Sequence, residues 1–428
     1  MKRFVSILAV LVICLLFSAI NGPCAETKPE ITIWMKKQFV PAANDLMEQR
    51  GKEFGDKYNV KVNVELIAYE NFYPKWTAAI ESGQVPDVSF FGYQEVGQFY
   101  DKGVLMDVSS LYQKIEKDQG AFYPSVKTPI TFKGKQFAIP YWTEAQVMHY
   151  RKDLLAAAGF NNPPKTWEEF RRVAKATTDA AKGVYGAGIG YGKGDSDAEW
   201  FTRSVIWSYG GAEVAKDGKT VMINSPETIQ AAKLIADIFL VDKSTPPSAL
   251  GWDDSGNNKA YLSGQAVIVF NTGSIVAAAK SDNPELYAKT GLAPWPAGPK
   301  GRFLPGIVNN LGIFKKARNP KLAQQFIEYA LEKQWYGTWI EKGAPLLCPV
   351  LKDLGNRSLW SDPMNKPFIE SVPNFTFLGY RGEYTPKAGE VYNLRYINDA
   401  FERMLVDKWP PEKAIQELQT KIEEVYKK

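Results

Sequence analysis

The chain has 428 residues, a net charge of +5 and 23% charged side chains. That length suits two domains of ordinary size, with enough core to stand without covalent staples. Basic and acidic residues are interleaved rather than clustered, which argues against a nucleic-acid partner.

The N-terminus reads as an export signal. Lys2 and Arg3 precede an apolar run from Phe4 to Ile20, followed by Asn21-Gly22-Pro23-Cys24-Ala25. A short basic region, an apolar stretch and a small-residue end describe a secretory signal over residues 1–25, cleaved after Ala25. An N-terminal membrane anchor is the alternative, because the run approaches spanning length. Cys24 raises a lipid anchor, but Pro23 stands where a lipobox wants a small residue. The localisation implied is periplasmic or extracellular. Of the three cysteines, Cys14 and Cys24 fall in this segment, so Cys348 has no internal disulfide partner after cleavage.

After the signal, Glu30–Met35 and Val60–Ile67 alternate apolar and polar residues as strands do, with an amphipathic helix from Pro41 to Tyr58 between them. Phe72–Ser82 reads as a helix ended by Gly83, and Asp87–Phe91 as a buried strand. This β-α-β-α-β order implies a mostly parallel sheet with helices on its faces. Gly134–Phe170 then reads as strand, loop, strand, short helix, proline turn and helix. Gly134 makes a turn, and Asp153 is expected to cap the helix Leu154–Ala158, with Gly159 in the left-handed end position. Thr166 and Glu169 have capping-box spacing.

Further on, Phe201–Tyr209 and Glu227–Val241 read as helices, the second begun by Ser225 and Pro226. Asn257–Leu262 leads into the strand Ala266–Phe270. Leu292–Gly301 is a Pro/Gly-rich connector, Asn310–Phe314 a short strand and Pro320–Glu332 a periodic helix. Ala388–Val406 and Glu412–Tyr426 close the chain as amphipathic helices.

Several ordered segments together resemble one family. They are Gly83 with Val85-Pro86-Asp87-Val88, Lys102-Gly103-Val104-Leu105 with Asp107, and the Gly134–Phe170 segment. Gly210-Gly211, Asn224-Ser225-Pro226-Glu227, Leu262-Ser263-Gly264-Gln265-Ala266, Pro294–Gly301 and Gly312-Ile313 before Asn319-Pro320 complete the set. The chain resembles extracellular solute-binding proteins of the maltodextrin-binding type, which feed ABC transporters. The resemblance implies a two-lobed periplasmic-binding-protein fold (type II), α/β in each lobe, joined by a hinge of several crossings. It implies an N-terminal lobe of 30–142 plus 311–347 and a C-terminal lobe of 143–310 plus 348–428. It implies a monomer that captures a mono- or oligosaccharide between the lobes and delivers it to membrane permease subunits, with no cofactor and no metal.

Ligands of doubly wound sheets sit beyond the carboxyl ends of strands. The loops that qualify are Trp34–Gln38, Gly92–Glu95, Trp142–Glu144 and Thr272–Ser274, with Trp252–Asp254 and Asn309-Asn310 added by the family pattern. Sugars need aromatic faces for their C–H surfaces and carboxylates, amides or guanidinium groups for their hydroxyls. Trp142, stacking, and Glu144, accepting from vicinal hydroxyls, form the leading pair. The alternative for Trp142 is a hinge tryptophan packed against its own lobe. Tyr93, Trp252, Asp253, Ser274 and Asn309 are further candidates, with Arg381 and Tyr384 in a late aromatic-rich loop. Lys36 offers a charge to an anionic ligand, or is simply a solvated lysine.

The enzymatic alternative is a secreted glycoside hydrolase or lyase, for which paired carboxylates such as Asp253-Asp254 are compatible with acid/base work, although adjacent residues need not face one substrate. The single histidine, His149, lies in an expected strand and reads as structural. There is no HExxH and no phosphate-cradling glycine loop.

Overall fold

The computed structural model describes residues 28–427, so the expected signal segment lies outside the described residues. Among the described residues no helix is long and apolar enough to cross a membrane.

Twelve strands are formed among the described residues: β1 (Glu30–Lys36), β2 (Lys61–Ile67), β3 (Val88–Gly92), β4 (Thr131–Phe132), β5 (Lys135–Gln136), β6 (Ile139–Ala145), β7 (Val147–Arg151), β8 (Tyr185–Ala187), β9 (Ala266–Asn271), β10 (Thr290–Ala293), β11 (Leu304–Gly312) and β12 (Phe375–Thr376). The first sheet runs β12-β11-β3-β1-β2, with β6 also paired to β11. The second runs β10-β7-β9-β8, and β4 and β5 form a separate hairpin. Parallel pairs are β1–β2, β1–β3, β8–β9 and β11–β12. The antiparallel pairs are β3 and β6 with β11, and β7 with β9 and β10. Only Gln146 separates β6 from β7, so one nearly continuous extended segment serves both sheets.

Each sheet builds its own core. β1 and β3 bury Ile31, Ile33, Val88, Phe90 and Phe91 against the helices Pro41–Tyr58 and Pro320–Ala330. The second core gathers Trp167, Phe170, Phe201, Ile268, Phe270 and Trp295, roofed by the C-terminal helix Pro411–Lys427. Local signals act as read from sequence at several points. Thr166 caps its helix by accepting from the Glu169 N–H at 3.2 Å, while Glu169 accepts from the Lys165 N–H. Gly134 and Gly159 both take positive φ.

Three expectations are corrected. Asp153 does not cap a helix: the helix is Lys152–Ala157, and the Asp153 carboxylate instead receives Arg151 Nε at 2.8 Å and Nη2 at 2.6 Å. The expected helix Ala388–Val406 is two, Pro386–Asn393 and Tyr396–Leu405, broken where Arg395 adopts φ +57°. Residues after 348 do not pass directly to the second core. Cys348, Val350, Leu354, Trp360, Phe368, Val372 and Leu378 all pack into the first, and buried residues of the second resume at Val391. Leu354, Trp360 and Val372 sit in short 3-10 turns and Phe368 in the short helix Lys366–Ser371, with no long period to read, so only the final helices were legible. Cys348 is a buried free thiol whose backbone exchanges two hydrogen bonds with Thr143, at 2.8 and 2.9 Å, beside the first crossing.

Candidate functional site

Where the two sheets meet, their strand ends enclose a cavity of about 450 Å3. This is where open α/β sheets place ligands. The loop after β1 contributes Lys36, Lys37, Gln38 and Phe39; the turn after β2 adds Tyr69 and Glu70, and the loop after β3 adds Gly92 and Gln94. Glu144, Ile307 and Asn309 come from the crossing strands β6 and β11. On the opposite wall, Ser196, Asp197 and Trp200 open the helix Ser196–Tyr209, and Asp253, Asp254 and Asn258 open Gly256–Leu262. Asn271, Thr272 and Ser274 follow β9, and Tyr392 enters from the helix Pro386–Asn393.

Glu144 is the organising group on the crossing. Its Oε1 accepts from Lys36 Nζ at 2.7 Å, Trp142 Nε1 at 3.0 Å and Asn309 Nδ2 at 3.1 Å. Lys36 is therefore a tethered partner of Glu144 rather than a free cation awaiting an anion. On the second wall Asn271 is the hub. Its Nδ2 donates to Asn257 Oδ1 and Asn258 Oδ1, its Oδ1 takes the Thr272 N–H, and Asn258 Nδ2 donates on to Ser274 Oγ at 2.9 Å. Asp197 accepts from Gln146 Nε2 and from Asn257 Nδ2, and Asp254 Oδ1 accepts from Ser196 Oγ at 2.8 Å. These amides and hydroxyls are pre-oriented, so little rotamer freedom remains to be lost on binding.

The carboxylates of this wall repel one another. Burial, then the Asp254 charge, push Asp197 up to about 8, and burial followed by the Asp197 charge raises Asp195 well above the usual carboxylate range. Asp195 caps the helix through Oδ1, accepting from the Ala198 N–H at 3.1 Å, and its buried Oδ2 has no partner among the described residues. Asp253 is held low instead, because Oδ1 accepts from the Ser255 hydroxyl at 2.6 Å and N–H at 3.0 Å, a turn motif at a helix start.

Of the residues expected from sequence, Lys36, Glu144, Asp253, Ser274 and Asn309 line the cavity. Five do not. Trp142 shares a sheet face with Glu144 but lies one step deeper: it is 0% exposed, stacked on Phe90 at 5.5 Å and edge-on to Trp339. Its only polar atom goes to Glu144, so it is a packed hinge tryptophan that positions the carboxylate. Tyr93 is also 0% exposed, with its hydroxyl accepting the Leu378 N–H. Tyr384 packs edge-on against Tyr93 at 4.9 Å and donates to the Tyr93 and Gln94 carbonyls. Trp252 folds over Gly256 and lines a separate hollow on the second lobe. Arg381 is exposed and donates to the Gly210 carbonyl at 2.8 Å, beyond the C-terminus of the helix Ser196–Tyr209. Among the residues that sequence missed are Phe39, Tyr69, Ser196, Asp197, Trp200, Asn258, Asn271 and Tyr392. Asp197 stood behind a readable signal, since Asp195-Ser196-Asp197 follows a glycine-rich run as a helix start does.

His149 is buried between Tyr261 and Phe368, and burial pushes it down to about 3, so it is neutral.

The sequence profile described as bacterial extracellular solute-binding protein matches residues 38–336. The chain belongs to that family. A protein of Brucella abortus named as a binding protein is 23% identical over 371 residues, 86% of either chain. The diacetylchitobiose binding protein DasA of Streptomyces coelicolor is 26% identical over 326 residues, 74% of this chain and 72% of its own. Among solved structures, the ABC transporter solute-binding protein of Thermotoga lettingae bound with alpha-D-tagatose superposes with a TM-score of 0.82 at 22% identity, covering 93% of this chain and 100% of its own. The family is one of binding proteins, not enzymes, which sets aside the hydrolase or lyase alternative.

Proposed function

We propose that this protein is the carbohydrate-capturing component of an ABC importer, acting as a monomer after export to the periplasm or cell exterior. The observation that carries the reading is the cavity itself. Glu144, Asp197, Asp253, Asp254, Asn258, Asn271 and Asn309 all line it, and Tyr69, Trp200 and Tyr392 supply aromatic surface beside them. Hydroxyl rims need such acceptors and amides, and sugar C–H faces need such rings. The named ligands of relatives, diacetylchitobiose and tagatose, belong to the same chemical class. Walls from both lobes line one cavity, so a ligand that touches both favours the closed arrangement over the open one. A membrane permease then recognises the closed complex.

A thermal-shift panel of neutral, acidic and amino sugars with the purified mature chain tests the reading. A binder of the native state raises the melting temperature by mass action. A panel in which no carbohydrate shifts the transition, while a solute of another class does, refutes it.

A further inference from the structure

A second hollow of about 430 Å3 adjoins the cleft at Tyr69 and Glu70, which line both spaces. Ligand pockets in general span about 300–1,000 Å3, so either space alone stands near the small end of that range. The second hollow is polar in a particular way. Gln98 Nε2 donates to Tyr73 Oη at 2.9 Å, and Asn393 Nδ2 donates to Gln98 Oε1 at 3.2 Å, so amides and a phenol are already arrayed along one side. In the same lining, Glu95 Oε2 and Arg395 Nη1 are buried with no hydrogen-bond partner among the described residues.

Glu95 opens the helix Tyr93–Asp101 of the first lobe, whereas Arg395 stands at the left-handed turn between the helices Pro386–Asn393 and Tyr396–Leu405, the second of which packs into the second core. A buried acceptor and a buried donor left unpaired are costly, and their satisfaction favours whatever supplies the missing partners. A sugar hydroxyl supplies both, since it donates one hydrogen bond and accepts others.

We infer that this hollow is a second sugar subsite and that the ligand is an oligosaccharide. One ring occupies the cleft, the chain passes Tyr69, and the next ring is held by Glu95, Gln98, Asn393 and Arg395. The inference rests on the carbohydrate reading above. Tyr69 suits the passage: Lys36 Nζ lies 5.4 Å from its ring centroid and Phe90 meets it edge-on, so the ring is fixed from the cleft side.

The test is calorimetric titration of the mature protein with two matched series: glucose, maltose, maltotriose and maltotetraose, and N-acetylglucosamine with its β-linked dimer and trimer. Two variants accompany the wild type. Leu394→Trp places bulk at an exposed leucine of the hollow, and Gln98→Ala removes an amide from it. The expected result is affinity rising about 10-fold or more from monosaccharide to the longer members of one series. That rise should be largely lost in Leu394→Trp, which keeps wild-type affinity for the monosaccharide, and reduced in Gln98→Ala. Equal affinity for mono- and oligosaccharide, or a rise that both variants retain, overturns the second subsite and leaves the carbohydrate reading standing. No binding in either series, with the thermal-shift panel also silent for carbohydrates, overturns both.

Discussion

The Lys36–Glu144 contact offers the sharpest energetic test of the crossing. Oε1 of Glu144 gathers an ammonium at 2.7 Å, an indole N–H at 3.0 Å and an amide at 3.1 Å, and the paired side chains are only 12% and 7% exposed. Glu144→Gln keeps an acceptor of the same shape but removes the charge. The bonds from the Trp142 indole and the Asn309 amide lose their charge assistance, and Lys36 is left nearly buried without a counter-ion. Breaking one partner of a fully buried pair costs about 3–5 kcal/mol; the residual exposure here lowers the expectation to about 2–3 kcal/mol. Lys36→Met leaves the carboxylate two neutral donors and should cost about 1–3 kcal/mol. If the pair acts as a unit, the double variant is more stable than the summed single losses predict, by about 1–2 kcal/mol. Equilibrium urea unfolding followed by tryptophan fluorescence measures all four proteins. Additivity within about 0.5 kcal/mol would refute the reasoning, because independent sites behave that way.

Other expectations follow from the same geometry. Trp142→Ala opens a cavity in a fully packed aromatic cluster and should cost about 3–5 kcal/mol of stability, while the folded protein's ligand affinity changes less than about tenfold; a large affinity loss at unchanged stability would restore the stacking role. Asp197 is raised from 3.8 to about 8, so its contribution to stability is complete below pH 4 and is lost as pH climbs through 8. The unliganded wild type should lose melting temperature across that window, with a slope of up to about 1.4 kcal/mol per pH unit from this group, and Asp197→Asn should flatten it; identical slopes would contradict the assignment. A Cβ at Gly97 would lie 2.3 Å from Tyr384 Oη, so Gly97→Ala should cost about 1–3 kcal/mol, partly recovered by adding Tyr384→Phe. Urea midpoints report both.

The loops after β1, β3 and β9 were legible from sequence and reach the cavity, because the alternation that marks a strand also marks where it stops; Trp142–Glu144, expected as a loop, lies inside strand β6 instead. Which side chain within a loop faces inward was not legible. Trp142 and Glu144 lie two apart on the same face of β6, and the sequence carries no mark of the depth at which core gives way to cleft. Tyr93 and Tyr384 read as sugar platforms because isolated aromatics look alike. Only tertiary packing shows that they seal the joint between the helices Tyr93–Asp101 and Pro386–Asn393. Arg395 was hidden by helical periodicity on both sides, although its left-handed turn is where the chain leaves the first core.

The most direct test of the account is calorimetric titration of the mature protein with the best sugar from the thermal-shift panel, followed by chromatography of the recovered ligand. The account predicts saturable binding of one sugar per chain, the sugar recovered intact, and affinity reduced about tenfold or more in Asn309→Ala, whose amide lines the cleft. Absence of saturation, or a hydrolysed sugar, would contradict it.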